Sequence, residues 1–307
     1  LRELRISPEN LLHVGDNEYS DNEIPQKLGI KTMHIPKAYD VWKGSEQSII
    51  GSDFFSRCFN SRIIADSVAG LNFLGNRLIQ GTIANNLYDN PFYNHNILTD
   101  FDLNPHKLGY ALLGPYLFAM VRWLYESAIS KGYNCIHFIA RDGFLMKQAF
   151  EKLQPYLGKR QLDTSYLYVS RKALIPLMVC IPEDIFTIES TISFKKNSPK
   201  DIIELLRPII EESKYAQAEE VCNAHGVDFN DTFENKNSFL KFLQLYIDVF
   251  YSRFKINEYR NTMKQYFSEK IGECDCFFDI GYSGRTESLL GKLLGCKIDT
   301  FYLHLNN

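Results

Sequence analysis

The sequence predicts an α/β protein with parallel strands, built from two successive segments. Short apolar runs end in turns such as Gly-Asp, Arg-Asp-Gly and Asp-Ile-Gly, and a segment of helical pattern follows each turn. Strand, loop, helix and strand in this order are typical of a parallel sheet. The length of 307 residues also allows about two domains, each with its own core.

Composition excludes several classes of protein. Hydrophobic residues make up 45% of the chain and charged residues 23%, which is typical of folded proteins and excludes disorder as the main state. The net charge of −3 gives no reason to expect a nucleic-acid partner. The longest uncharged apolar run, residues 108–121, is shorter than the roughly 20 residues of a membrane span. An odd number of scattered cysteines favours reduced thiols and a cytoplasmic location.

The first segment combines a strand at residues 11–14, a helix at 21–28 and a strand at 30–35. Asp16 follows the first strand directly, and Asp21 comes five residues later. Two carboxylates on one loop at the carboxyl end of a strand suit Mg²⁺, which prefers oxygen ligands. The alternative is a surface turn in which Asp21 caps the following helix, and spacing alone does not decide between the two.

Residues 7–36 resemble the last conserved stretch of haloacid dehalogenase-like (HAD) hydrolases, in which a strand, Gly-Asp, a further Asp, a helix and a strand follow one another. The resemblance implies that residues 1–40 are the end piece of a HAD-type, Rossmann-like domain and that Asp16 and Asp21 hold Mg²⁺. The family's Asp-x-Asp nucleophile motif belongs upstream, and none precedes Ser7. We therefore expect the chain to begin inside a longer, Mg²⁺-dependent phosphohydrolase.

The second α/β domain is predicted at residues 107–307, after a connecting, partly helical region at 41–106. A Rossmann-like pattern recurs there, with a helical insertion near residues 181–270. The predicted strands of this domain are 135–140, 166–169, 276–280 and 297–303, and its predicted helices outside the insertion are 107–130, 144–153 and 286–294.

Polar residues come directly after the last apolar residue of three of these strands. The turns are Arg141-Asp142-Gly143, Ser170-Arg171 and the loop from Asp279 to Thr286. The last loop contains Gly281, Ser283, Gly284, Arg285 and Thr286, which together suit an anion site at the start of a helix. Carboxyl ends of parallel strands share one edge, so we expect one pocket there.

We assign Asp142 and Asp279 catalytic roles in this pocket and expect Arg141, Ser170, Arg171 and the loop residues to bind phosphate. Two alternatives to a binding site stay open. In the first, the loop is only a tight turn, and Thr286 caps the helix that follows. In the second, the arginines pair with Asp142 and Asp279 and leave no cavity.

The second domain departs from a HAD nucleophile motif. Ala140 stands where the attacking Asp belongs, and Gly281 replaces the second Asp after Asp279. His137, within an apolar strand, is expected to be a core histidine.

Two further resemblances concern the ligand. Residues 283–286 loosely resemble the phosphate loop of phosphoribosyltransferases, and the order of motifs is similar to that of large bacterial HAD-like proteins found with surface-polysaccharide and glycosyltransferase genes. They imply a phosphorylated small molecule or a nucleotide sugar as partner, bound with or without turnover.

Overall fold

The computed structural model describes residues 6–45, 68–94, 100–281 and 284–303. It is a mixed α/β structure with parallel sheets, which confirms the predicted class. The chain divides into two compact units, Leu1–Ala119 and Met120–Asn307. None of the described helices is both long enough and apolar enough to cross a membrane.

The first unit contains a two-stranded parallel sheet. Strand β1 (Leu12–Gly15) pairs with β2 (Lys31–His34), as the strand-helix-strand pattern predicts. The connection is a π-helical turn at Glu18–Glu23 followed by the short helix α1 (Ile24–Lys27). Helical structure begins three residues before the predicted start at Asp21, because the Asn17 side chain accepts hydrogen bonds from two backbone N–H groups and caps the turn there.

The remainder of the first unit is helical where it is described. The helices are α2 (Ala38–Ser45), α3 (Val68–Leu87), α4 (Pro105–Leu108) and the start of α5 (Gly114–Ser130), with a π-helical turn at Gly109–Leu113. Trp42 stacks on Tyr88 with ring centroids 5.6 Å apart, and Phe101 packs against both. These buried aromatic rings form the core of this unit.

The second unit is built on a four-stranded parallel sheet of order β4-β3-β5-β6. The strands are β3 (Cys135–Ile139), β4 (Asp163–Leu167), β5 (Asp275–Asp279) and β6 (Thr300–Tyr302). Helices α6 (Gly143–Leu157), α7 (Arg171–Leu174) and α13 (Arg285–Leu294) each follow a strand directly. Strands β3 and β5 lie in the middle of the sheet, which agrees with their continuous apolar sequence.

The edge strands differ from the predicted ranges. Strand β4 begins at Asp163, three residues before the prediction, and ends at Leu167 instead of Val169. Strand β6 is confined to Thr300–Tyr302. An edge strand has only one paired neighbour and tolerates polar residues, so hydrophobicity is a poor guide to its limits.

The helical insertion has its own hydrophobic core. Its helices are α8 (Pro199–Leu206), α9 (Glu212–Ala216), α10 (Ala218–Ala224), α11 (Lys236–Leu245) and α12 (Arg253–Ser268), with shorter 3-10 segments at Ile175–Met178, Pro182–Ser190 and Arg207–Ile209 and a π-helical turn at Tyr246–Phe250. Phe239, Phe242 and Tyr246 are fully buried in this core.

Candidate functional site

A cavity of about 590 Å³ lies at the carboxyl ends of β3, β4 and β5. Its lining residues are Ile139, Ala140, Arg141, Asp142, Tyr168, Val169, Ser170, Arg171, Ala173, Asp279, Gly281, Gly284, Arg285 and Thr286. The cavity brings together all the described residues that the sequence analysis assigned to a site in the second domain. Ser283 lies outside the described residues. The catalytic and binding roles given to these residues stay predictions.

The cavity is lined by more cationic than acidic side chains. Arg141, Arg171 and Arg285 contribute three guanidinium groups, and Asp142 and Asp279 contribute two carboxylates. No guanidinium group of the three forms an ion pair or hydrogen bond within the described part of the chain. The alternative in which the arginines pair with these two aspartates and fill the space is therefore not what the structure contains. Their donors remain available to an anion.

Two helices begin at the cavity, and the residue at the N-cap position of each forms no side-chain hydrogen bond to its helix. Helix α6 starts after Asp142, and α13 starts after Gly284, and neither residue's side chain caps the helix. The first backbone N–H groups of an α-helix have no partner within the helix and carry its partial positive charge. Together with the arginines, these helix ends form a favourable environment for a negatively charged group. Thr286 lies in the first turn of α13, and its predicted role as cap is taken by Gly284, with φ of 62°.

Three glycines allow the backbone to approach closely around the cavity. A Cβ atom on Gly143 would lie 2.9 Å from the carbonyl carbon of Phe138, so α6 can pack onto the end of β3 only without a side chain there. A Cβ atom on Gly281 would lie 2.4 Å from a carboxylate oxygen of Asp279. The loop backbone therefore lies directly against the Asp279 carboxylate. Gly284 has a positive φ, which L-residues adopt rarely.

Ser170 has a local partner in addition to its place in the cavity lining. Its hydroxyl oxygen accepts a hydrogen bond of 3.2 Å from the Ala173 backbone N–H and so caps α7. A serine oxygen that accepts this bond can still donate its own proton. The structure thus assigns Ser170 a capping role that the sequence analysis did not include.

Glu287 is a residue beside the cavity that the sequence analysis missed. It lies in the first turn of α13 and is 5% exposed. Burial, with the nearby charge of Asp279 acting in the same direction, raises the pKa of Glu287 to about 7. An acid in the first turn of a helix is common because it complements the helix dipole, so sequence alone gave no reason to single it out.

A second polar cluster lies at the amino ends of the strands. His137 is 1% exposed, and its two ring nitrogens lie 2.5 Å from the Ser165 hydroxyl and 2.8 Å from an Asp275 carboxylate oxygen. Cys135, His137 and Asp275 form a group in which one potential metal-ligand atom from each residue lies within 4.8 Å of the others. Burial raises the pKa of the Cys135 thiol to about 12, which opposes formation of the thiolate that a metal requires. The contacts agree with the predicted role of His137 as a core histidine.

Asp16 directly follows β1, and Asp21 lies in the π-helical turn at Glu18–Glu23. Asp16 forms an ion pair of 2.9 Å with Lys37. Asp21 accepts a hydrogen bond from the Asn17 backbone N–H at 2.9 Å and lies 3.1 Å from a ring nitrogen of His13. These contacts, the first above all, lower the pKa of Asp21. Both residues offer carboxylate oxygens, the ligand type that Mg²⁺ prefers, and such an oxygen can accept more than one contact.

An Asp-x-Asp sequence occurs at residues 100–102, where the sequence analysis did not consider it. Phe101, its central residue, is buried in the core of the first unit, and Asp102 forms an ion pair with Lys107. The segment is a turn with positive φ angles at Phe101 and Asp102 and does not follow a described strand. This geometry differs from a nucleophile loop at the carboxyl end of a strand.

No protein-family model matches the chain, and no curated protein sequence matches it significantly. We therefore infer the function from the geometry of the sites.

Proposed function

We propose that the second unit binds a phosphorylated small molecule, of the sugar-phosphate or nucleotide-sugar class, in the cavity lined by Arg141, Arg171 and Arg285. The observation that supports this most directly is the set of three guanidinium groups without partners in the described chain, beside two uncapped helix ends. Guanidinium groups bind phosphate oxygens in pairs of hydrogen bonds, and helix N-termini favour the same charge.

Binding of phosphate compounds to the full chain tests this proposal. Titration calorimetry with inorganic phosphate, glucose 1-phosphate and UDP-glucose should detect binding, and Arg141→Ala or Arg285→Ala should weaken it about tenfold to a hundredfold, as expected for hydrogen bonds to a charged group. Arg253→Ala is a matched control, because Arg253 is exposed, begins a different helix and is not part of the cavity lining. Equal affinities in all three variants would contradict the proposal.

For the first unit we propose descent from HAD-type, Mg²⁺-dependent phosphohydrolases. The supporting observation is the close packing around the Gly-Asp turn, where a Cβ atom on Gly15 would lie 2.4 Å from the Asp21 carboxylate carbon. Asp16 and Asp21 would hold Mg²⁺, and the ion would supply charge neutralisation for a phosphoryl group. Calorimetric titration with Mg²⁺ tests this, since Asp16→Asn should abolish binding and Asp40→Asn, an exposed residue outside the loop, should not.

A role in surface-polysaccharide biosynthesis and a cytoplasmic location belong to the same proposal. They rest on the order of the sequence motifs and on the scattered cysteines, respectively.

A further inference from the structure

Asp279 is an acceptor in a cavity lined mostly by donors. It lies at the carboxyl end of β5, and among the described residues its carboxylate interacts with the Glu287 carboxyl group and forms no ion pair with an arginine of the cavity. An ionised carboxylate can only accept hydrogen bonds, so it cannot contact a phosphate oxygen favourably. Three arginines around the same cavity disfavour a second cation as its partner. A ligand group that donates a hydrogen bond without carrying positive charge suits Asp279 best, and a hydroxyl is such a group.

Glu287 is a neighbour of Asp279, and its carboxyl group is buried. Its two carboxylate oxygens are buried without a hydrogen-bond partner of ordinary geometry among the described residues. Asp279 from β5 and Tyr302 from β6 are its charged and titratable neighbours. A buried carboxyl group avoids the cost of an unpaired charge by keeping its proton, and a protonated carboxyl group is a hydrogen-bond donor.

Two glycines of the cavity lining lie against this group of side chains. Gly281 lies against the Asp279 carboxylate, and a Cβ atom on Gly284 would lie 3.1 Å from the Tyr302 hydroxyl. The same two side chains, Asp279 and Tyr302, are the neighbours of Glu287. A change in the charge of Glu287 therefore acts on side chains that contact the cavity lining.

We infer that the ligand of the cavity carries a hydroxyl group besides its phosphate, that Asp279 accepts a hydrogen bond from this hydroxyl, and that Glu287 is a positioning residue whose proton orients the Asp279 carboxylate. This rests on the proposed phosphate-binding function and assigns the residues that would recognise a hydroxyl group of the ligand. When Glu287 loses its proton, two carboxylates repel each other and the orienting donor disappears.

Two probes that differ only in hydroxyl groups test the first part of the inference. Glucose 1-phosphate and cyclohexyl phosphate share a six-membered ring and a phosphate, but the second has no hydroxyl. At pH 6 the full chain should bind glucose 1-phosphate at least about tenfold more tightly, as expected for a hydrogen bond to a charged acceptor. Asp279→Asn should reduce this preference to about threefold or less, because the amide is a weaker acceptor. Equal affinity of the natural chain for the two probes would overturn the inference.

The pH profile tests the role of Glu287. The natural chain should lose most of its preference for glucose 1-phosphate between pH 6 and pH 8.5, whereas Glu287→Gln should keep it at both values, because glutamine has the shape of the protonated acid and also donates hydrogen bonds. A preference in the natural chain that does not change with pH would overturn this role, even if the glutamine variant failed to fold. Circular dichroism of each variant checks folding.

The two proposals fail in different ways. If inorganic phosphate binds and Arg285→Ala weakens it, but the two ring compounds bind equally, the phosphate site stands and the hydroxyl inference is wrong. If neither inorganic phosphate nor either ring compound binds, both are wrong.

Discussion

Glu287→Gln is expected to change how the stability of the protein depends on pH. Burial raises the pKa of Glu287 from 4.5 to about 7, so between these values the folded protein holds a proton that the unfolded chain has released. The stability associated with this proton is complete below pH 4.5 and is lost as the pH rises through about 7. Glutamine cannot ionise, so the variant lacks this dependence.

The size of the effect follows from the two pKa values. At about 1.4 kcal/mol per pH unit, the difference between 4.5 and about 7 corresponds to about 3 kcal/mol. About 2 kcal/mol of this falls between pH 5.5 and pH 8.5, because the unfolded chain has already released most of its proton at the lower value. The side chain is 5% exposed, so solvent screens the effect little. The stability of Glu287→Gln relative to the natural chain should therefore rise by about 2 kcal/mol from pH 5.5 to pH 8.5.

Urea unfolding at the two pH values, followed by circular dichroism, measures this difference. Glu273→Gln is the matched control, because Glu273 is exposed and is expected to show no change with pH beyond about 0.5 kcal/mol. A stability difference between Glu287→Gln and the natural chain that is the same at both pH values would refute the reasoning. It would mean that the carboxylate is hydrated or paired in the folded protein.

Two further substitutions have expected effects on stability, and one assay of the natural chain has an expected result. Gly143→Ala should destabilise the protein by about 1–3 kcal/mol in urea unfolding, because the new methyl group meets the backbone of the preceding strand; an unchanged midpoint would contradict the close packing. His137→Ala should cost about 2–4 kcal/mol, since it leaves a cavity and deprives the Asp275 carboxylate of its partner, and a loss below 1 kcal/mol would contradict the structural role. The chain should not hydrolyse p-nitrophenyl phosphate with Mg²⁺, because Ala140 and Gly281 stand where a HAD nucleophile motif carries aspartates; turnover that Asp279→Asn abolishes and Asp16→Asn retains would place a catalytic site in the second unit.

The central strands were predictable from sequence, and the edge strands less so. Strand β3 lies between two neighbours, and Ile136, Phe138 and Ile139 make it apolar around the buried His137. Such a strand shows a continuous apolar run, which sequence reveals directly. Strand β4 has one neighbour and begins with Asp163-Thr164-Ser165, residues that carry no strand signal when their surroundings are unknown.

The candidate site was predictable to the extent that it depends on chain topology. Residues that directly follow parallel strands meet at one edge of the sheet, so the sequence predicts that Arg141, Arg171 and Asp279 lie close to one another. Glu287 was not predictable in this way, because its neighbours Asp279 and Tyr302 come from two strands that are distant from it in local sequence pattern. The position of a residue on a helix can be predicted from the local sequence. The residues that pack against it in the tertiary structure cannot.

His137 of β3 and Glu287 of α13 are both buried and titratable, and they support opposite conclusions. His137 has a partner for each ring nitrogen, and its polar atoms are accounted for by the fold alone. The Glu287 oxygens are buried beside the Asp279 carboxylate, so an ionised Glu287 lowers stability. A protein tolerates such a cost most readily where a site requires it, and Glu287 lies beside Asp279 at the carboxyl edge where the cavity is. The contrast favours a functional role for the carboxyl edge and a structural role for the amino edge.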